Sequence, residues 1–341
     1  MKQVIRPVLY RCLPCFKLKA AASQQMMGQL PLARVTVARP FINAGIDYVD
    51  PFEIKSGNTR SKTTTKYYVA LFICMATKAI DLELVSNLRS EAFIAALKRF
   101  IARRGLINHL YSDNGSNFVG ANRELKAFFK SEEFSQQVQN YAAKTQFHWH
   151  FIPPNSPHFG GLWEAGVKSL KYHWKRIIGK ALLTFEEFST LMTQVEACLN
   201  SRPLIALSNE PNDPSYLSPG HFLIGAPLTT LPEPDFTSTT MNSLSRWQRV
   251  QRFNLQLWKR WSSDYLNNLQ QRSKWRSQQP DLQPGMLVLL REDNLPPMSW
   301  RLGIISETFP GSDGYVRVVT VKTSSGEFKR PIHKLVALPL K

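Results

Sequence analysis

Three acidic residues stand where strand and helix signals would deliver carboxylates to one place: Asp47, Asp113 and Glu164. Asp47 lies inside the apolar run AGIDYVDPF, and a charged side chain in a central strand faces a packed core unless a partner neutralises it. Asp113 follows INHLYS and opens Asp-Asn-Gly, a turn that releases the chain and leaves the carboxylate at the carboxyl edge of its strand, where sites on open sheets form. Glu164 falls in the first turn of the helical segment after PPNSPHFGG, whose glycines let the backbone loop round so that this turn faces the sheet. Oxygen-only ligands suit hard divalent cations, and two such ions roughly 4 Å apart activate a nucleophile and hold the leaving oxygen of an in-line displacement at phosphorus. Each acid also has a plain structural reading: an Asx turn for Asp113, a lysine partner for Asp47, a helix-dipole complement for Glu164. Among the other acids, Asp50 precedes Pro51 and is expected to end its strand, while Asp81 and Glu83 alternate with Leu82 and Leu84 as a solvated strand face would.

The elements that must position these acids follow from periodicity and punctuation. NAGIDYVDPF, KYYVALFICMAT and AIDLELVS read as three strands of a meander. Ser90 then caps SEAFIAALKRFIARRG, in which Phe93, Ile94, Leu97, Phe100 and Ile101 share one helical face and Gly105 closes the end. A strand INHLYS, helices ANRELKAFFK and SEEFSQQVQNYAAK, a strand FHWHFIP and helices over GLWEAGVKSLKYHWKRIIGK and Thr184 to Asn200 follow. This order predicts an α/β fold, a mixed sheet with helices packed on it. Prolines 203, 211, 214, 219, 227, 232 and 234 mark a connection between domains. Residues 244 to 276 are basic, Trp-rich and helical in pattern, and 285 to 338 give the short strands of a small barrel.

Composition bounds the partners. The 341 residues are 43% hydrophobic, enough for more than one core, and 43 Lys/Arg against 25 Asp/Glu leave a formal charge of +18. Such a surplus calls for a polyanion, nucleic acid first. Residues 241 to 341 hold 16 Lys/Arg and 7 Asp/Glu, which places a polyanion contact on the tail. The longest apolar run, Tyr67 to Ala76, is far short of the roughly 18 residues that span a bilayer, so no membrane partner is expected. Four cysteines make no disulfide framework, pointing to a reducing, intracellular compartment.

The segments AGIDYVDPF, YSDNGSNF and FIPPNSPHFGGLWEAGVKSLK, in this order and on these elements, resemble the D,D,E core of retroviral-type integrases, and above all the integrase of the BEL/Pao group of LTR retrotransposons. The likeness covers nearly the whole chain, since residues 285 to 335 are similar to that group's C-terminal domain. It implies an RNase H-like five-stranded mixed sheet with helices, then a helical linker and a small SH3-like β-barrel. It makes Asp47, Asp113 and Glu164 the catalytic, metal-binding triad for two Mg²⁺ or Mn²⁺ ions. The implied activity is that of a polynucleotidyl transferase that processes element DNA 3′ ends and joins them to target DNA, as a homo-oligomer on DNA in the nucleus. The expected domains are 1–37, a zinc-domain remnant and linker; 38–205, the catalytic core; 206–243, a Pro-rich connection; 244–279, the Trp-rich helix; and 280–341, the barrel.

Lys168 and Lys171 follow Glu164 by four and seven residues on one helical face, at the positions where integrases contact the donor DNA end. Asn114 and Asn117 beside Asp113, and Arg246 and Arg249 in the tail, are further candidates for DNA contact. Asn155 and Gly160 stand where retroviral integrases commonly carry Tyr and Gln, so those contacts do not transfer. The interval from Asp113 to Glu164 is longer than usual, and SEEFSQQVQNYAAK accommodates the excess. Cys12 and Cys15 match half of a zinc site, but no histidine precedes them, so the chain is expected to begin inside a zinc domain and to hold no zinc. His148 and His150 alternate on one strand and read as ordinary half-buried strand residues. Tail residues Trp247, Trp258, Trp261 and Trp275 read as core, or as aromatics among phosphate-tracking arginines. The competing function is a domesticated or decayed integrase descendant that binds nucleic acid without catalysis.

Overall fold

The computed structural model describes residues 7–8, 12–13, 28–57, 62–130, 147–154, 156–179, 181–208, 215–270, 281–292 and 295–339. The chain falls into two compact units, Met1–Val35 and Thr36–Lys341. Among its described residues the first includes a helical turn, Leu32–Val35. The expected helix over 131–144, Asn155, Trp275 and Cys15 lie outside the described residues.

In the second unit β1 (Asn43–Lys55) forms the middle of a mixed sheet. It pairs antiparallel with β2 (Thr64–Cys74), which pairs antiparallel with β3 (Ile80–Val85). On its other side it runs parallel to β4 (His109–Ser112), and β4 runs parallel to β5 (His148–Phe151). The order is therefore β3-β2-β1-β4-β5, the α/β sheet expected, with one addition: the two-residue β6 (Leu183–Thr184) lies parallel to the end of β1. So short a strand has no periodicity to read.

Strand alternation gives the sheet two apolar faces. Ala44, Ile46, Ala70 and Phe72 face α1 (Ser90–Arg104) and α2 (Ser116–Lys130), in a core with Phe93, Phe100 and Phe118. Phe72 and Phe100 stack at 4.1 Å, 4° from parallel, which adds about 1 kcal/mol to their burial. α2 starts at Ser116, five residues earlier than the apolar pattern suggested. The opposite face is covered by α3 (Gly161–Ile177) and α4 (Phe185–Asn200). A capping box starts α4: Thr184 Oγ1 accepts from the Glu187 amide, and Glu187 accepts from the Thr184 amide at 2.8 Å.

Asp81 and Glu83 correct the expectation of a solvated face: Asp81 is wholly buried and Glu83 nearly so. Helix α1 lays three arginines over them. Arg104 reaches Asp81 at 2.6 Å and Glu196 of α4 at 2.6 Å, Arg99 reaches Glu83 at 2.7 Å, and Arg103 pairs with both strand acids. Alternation marked the side on which these acids lie but not the helix that covers it. The outer rim of β3 is closed by side chains too. Asn200 accepts from the Ile80 amide and donates to the Ile80 carbonyl, Glu196 accepts from the Leu82 amide at 2.8 Å, and Arg99 donates to the Leu84 carbonyl at 2.8 Å.

The Pro-rich connection is more ordered than its composition suggests. It contains a hairpin of β7 (Ile205–Ser208) and β8 (Ser215–Leu217), then α5 (Pro219–Ile224). Ser245 caps α6 (Arg246–Leu269), which packs on α3 and α4 and buries Val250, Phe253, Leu257, Trp258 and Trp261. A five-stranded antiparallel sheet follows: β9 (Leu287–Leu290), β10 (Arg301–Pro310), β11 (Val316–Thr323), β12 (Gly326–Pro331) and β13 (Leu335–Ala337), ordered β12-β11-β10-β9-β13. One of its apolar clusters includes Ala206 and Leu266, so hairpin, helix and sheet share a core. Trp300 adds a second joint, with its ring 4.9 Å from Trp258 and its indole nitrogen donating to Ser201 at 3.2 Å. Among the described residues no helix is long and apolar enough to cross a membrane.

Candidate active site

The three acids come from three separate elements. Asp47 is half-buried on β1, on the sheet face that α3 covers, and its Oδ1 accepts from the Tyr48 amide at 2.7 Å. A bulge between Val49 and Phe52 follows it, the kind of strand irregularity that re-aims side chains beside sites. Asp113 lies just past β4 and is exposed; its Oδ1 accepts from the Gly115 amide at 2.9 Å, which is the Asx turn. Asn114 donates to the Ile152 carbonyl at 2.7 Å, fastening this turn to the end of β5. Glu164 stands exposed in the first turn of α3. Its neighbour Trp163 is 2% exposed and lies directly over Gly45 of β1, which seats the start of the helix on the sheet. Gly160 is needed close by: a β-carbon there would come within 2.8 Å of Trp163 Nε1 and 2.9 Å of Glu164 Oε1.

Electrostatics ties the acids together. Burial pushes the Asp47 carboxyl up to about 6; the Tyr48 amide opposes this, the Asp113 charge adds to it, the Lys171 ammonium opposes it, and the Glu164 charge adds to it. Asp47 therefore lies within reach of the charges of Asp113, Glu164 and Lys171. Three carboxylates with rising proton affinity at their centre form a donor set that a hard cation would relieve. Among the described residues, no three His, Cys, Asp or Glu side chains are closed to ion-holding distances.

The other sequence candidates separate. Lys168 is exposed on α3, and Lys171 is half-buried beside Asp47. Asn117 turns inward toward the buried Tyr48 hydroxyl, whose pKa is raised by burial, so it is not displayed to solvent as a DNA contact would be. Arg246 is engaged inside the fold: it pairs with Glu187 and donates to the Leu182 carbonyl at 3.2 Å. Although burial pushes the Glu187 carboxyl up, hydrogen bonds from Arg246 and Thr184 hold it below the usual range. Arg249 donates to the Leu244 carbonyl at 3.2 Å. Neither arginine shows the outward reach expected of it. Trp258 and Trp261 are core residues, whereas Trp247 is half exposed. Cys12 is a free thiol. His148 and His150 form a ring row with His109 and Tyr111 on the outer face of β4 and β5, with His109 Nδ1 2.9 Å from His150 Nε2. Lys175 went unread in the sequence; it extends the stripe Glu164, Lys168, Lys171 by one more turn, a continuation that helical spacing alone would have shown.

Residues 41–157, which contain Asp47 and Asp113, match the family model of the integrase core domain. Residues 245–338 match a family of unknown function, DUF5641. No curated protein matches the chain. Among solved structures, the intasome of simian T-cell lymphotropic virus, determined with a PP2A regulatory subunit, is similar at 13% identity and TM-score 0.36, over 99% of this chain and 91% of that one. The HTLV-2 integrase catalytic core domain, solved with magnesium in a dimeric form, is similar at 16% identity and TM-score 0.32, over 50% of this chain and 92% of that one. The mixed sheet with helices on both faces is the α/β fold of an integrase core, and a β-rich region follows it.

Proposed function

We propose that the chain is the integrase of a BEL/Pao-type retrotransposon, a metal-dependent polynucleotidyl transferase that trims element DNA 3′ ends and joins them to target DNA. The carrying observation is that Asp47, on a central strand, lies within electrostatic reach of both Asp113, at a strand end, and Glu164, at a helix start. On this reading Asp47, Asp113 and Glu164 would hold two Mg²⁺ or Mn²⁺ ions, which supply activation of the attacking oxygen and stabilise the leaving one. The chain's own residues do the positioning. Lys171 and Lys168 receive the phosphates of the donor strand, and the Asn114 anchor fixes the turn that carries Asp113. Asp47, held near 6, is mostly ionised in neutral solution and would be ready to receive a cation. Water attacks the phosphodiester near the element end and frees a 3′-hydroxyl; that hydroxyl then attacks a target phosphodiester and displaces a target 3′-oxygen. Element and target DNA and further copies of this chain are the partners, and the nucleus is where they meet.

The second reading, an integrase-derived DNA-binding protein without catalysis, is favoured by the open spacing of the acids. Joining of labelled element-end oligonucleotides in Mg²⁺, with wild type beside Asp113→Asn, separates the two. Joining by wild type alone supports the transferase. Binding without joining by either protein supports the second reading, and equal joining by both removes Asp113 from the site.

A further inference from the structure

A cavity of 480 Å³ opens between the end of β1, the second half of α3 and the turn into α4. Its size lies in the range of small-ligand sites. Its floor is aromatic: Phe52, Trp174 and Phe188 meet one another at 5.1, 5.2 and 4.9 Å, and Trp174 and Phe188 are almost wholly buried. It is also lined by Lys171, half-buried, and by Lys175, Glu53 and Ala181, which are exposed and so stand toward its opening. The bulge between Val49 and Phe52 is what separates Asp47 from Phe52, placing the acid at the site and the ring in the cavity. Lys171 belongs to both, since it lines the cavity and its charge acts on Asp47.

We propose that this cavity receives one unpaired nucleobase of the DNA strand whose phosphate lies at the acids; the inference rests on the transferase reading and adds a subsite to it. Three features select a base over another apolar ligand. The half-buried ring of Phe52, backed by the other two, offers a π-face on which any base can stack. Lysines at the rim complement the phosphates that flank a base and would gain nothing from a plain hydrocarbon. Glu53 offers an acceptor to an exocyclic amino group. The scale of the helix gives the order of magnitude of how far along the strand that base lies. Glu164 and Lys171 are about 10 Å apart along the axis of α3, and a strand advances about 3.4 Å per nucleotide, so the base lies about three nucleotides from the reacting phosphate. A base enters such a pocket only when it has left its stack, which frayed ends and mismatches allow most easily.

The test uses the full chain and end-labelled duplexes carrying 2-aminopurine, in turn, at each position near one end. One position changes its fluorescence on binding, and an abasic residue there weakens binding by roughly tenfold, the worth of one stacked base. Ala181→Trp, which fills the mouth, abolishes that signal and that abasic effect while anisotropy still reports DNA binding. Lys175→Glu, on an exposed helix face, weakens the signal without touching the floor and serves if Ala181→Trp fails to fold. No responsive position, or a response that survives both variants, overturns the pocket. Joining is scored on the same samples: joining without a responsive base leaves the transferase standing and removes the pocket. A responsive base lost in Ala181→Trp, without joining by wild type, does the reverse.

Discussion

Trp163 occupies the space above Gly45 so closely that a β-carbon at Gly45 would clash with the edge of the indole ring, at Cε3. This contact sets the depth of α3 on β1, and the next residue along the helix is Glu164. Gly45→Ala is therefore expected to lift the start of α3 away from Asp47. Overpacking of this kind costs about 1–3 kcal/mol, and displacement of one acid lowers joining by about a hundredfold. Urea denaturation and a joining assay on the same preparation check both. A variant of normal stability and activity would show that α3 is not seated through Trp163.

Glu196 gives a pH test of the fold, apart from the site. Burial and the Asp81 charge raise its carboxyl to about 7 from an ordinary 4.5. Between these values the folded chain keeps a proton that the unfolded chain releases, so the contribution of this group to stability falls as pH rises, by roughly 1 kcal/mol per unit. Denaturation midpoints measured from pH 5 to 8 should decline more steeply in wild type than in Glu196→Gln. Parallel curves would mean that Glu196 is ionised throughout this window.

The three candidate acids were legible in the sequence because each carries local punctuation: an apolar run around Asp47, Asp-Asn-Gly at Asp113, glycines ahead of Glu164. Such signals act within a few residues. The burial of Asp81 and Glu83 was not legible, since their arginines come from α1 and Glu196 lies 115 residues beyond Asp81 in sequence. Arg246 misled for the same reason: a basic residue among aromatics resembles a DNA contact until Glu187, 59 residues away, is found against it. The pocket below Lys171 needed the bulge after Val49, which leaves no mark in a hydrophobicity pattern.

Replacing Lys168 and Lys171 together by Glu puts two anions on the helix face that carries Glu164. Donor-end joining should fall by about a hundredfold through misplacement of the strand. General DNA binding by a chain of charge +18 should fall far less. Anisotropy on random-sequence duplex, beside a joining assay, separates the two effects. Equal losses would mean that α3 is a general DNA surface with no preference for the donor end.

Removing residues 241 to 341 is expected to unfold the core as well as weaken DNA binding. The loss strips α6, with buried Phe253, Leu257, Trp258 and Trp261, from α3 and α4, and it takes the Arg246 partner from Glu187. Each large apolar group is worth about 2 kcal/mol when buried, against a total stability of about 5–15 kcal/mol. Near-UV circular dichroism of the 1–240 fragment should show no cooperative thermal transition. A sharp transition near that of the whole chain would make the tail an independent domain.

The side chains along the rim of β3 have a consequence for how copies of this chain can meet. An incoming strand recognises a sheet by its vacant amides and carbonyls, and here Asn200 occupies both groups of Ile80, Glu196 the Leu82 amide and Arg99 the Leu84 carbonyl. Growth of one molecule's sheet into the next, the route to fibres and swapped dimers, is shut along this rim. Contacts between copies on that side must be made by side chain against side chain, where a single substitution can tune or abolish them.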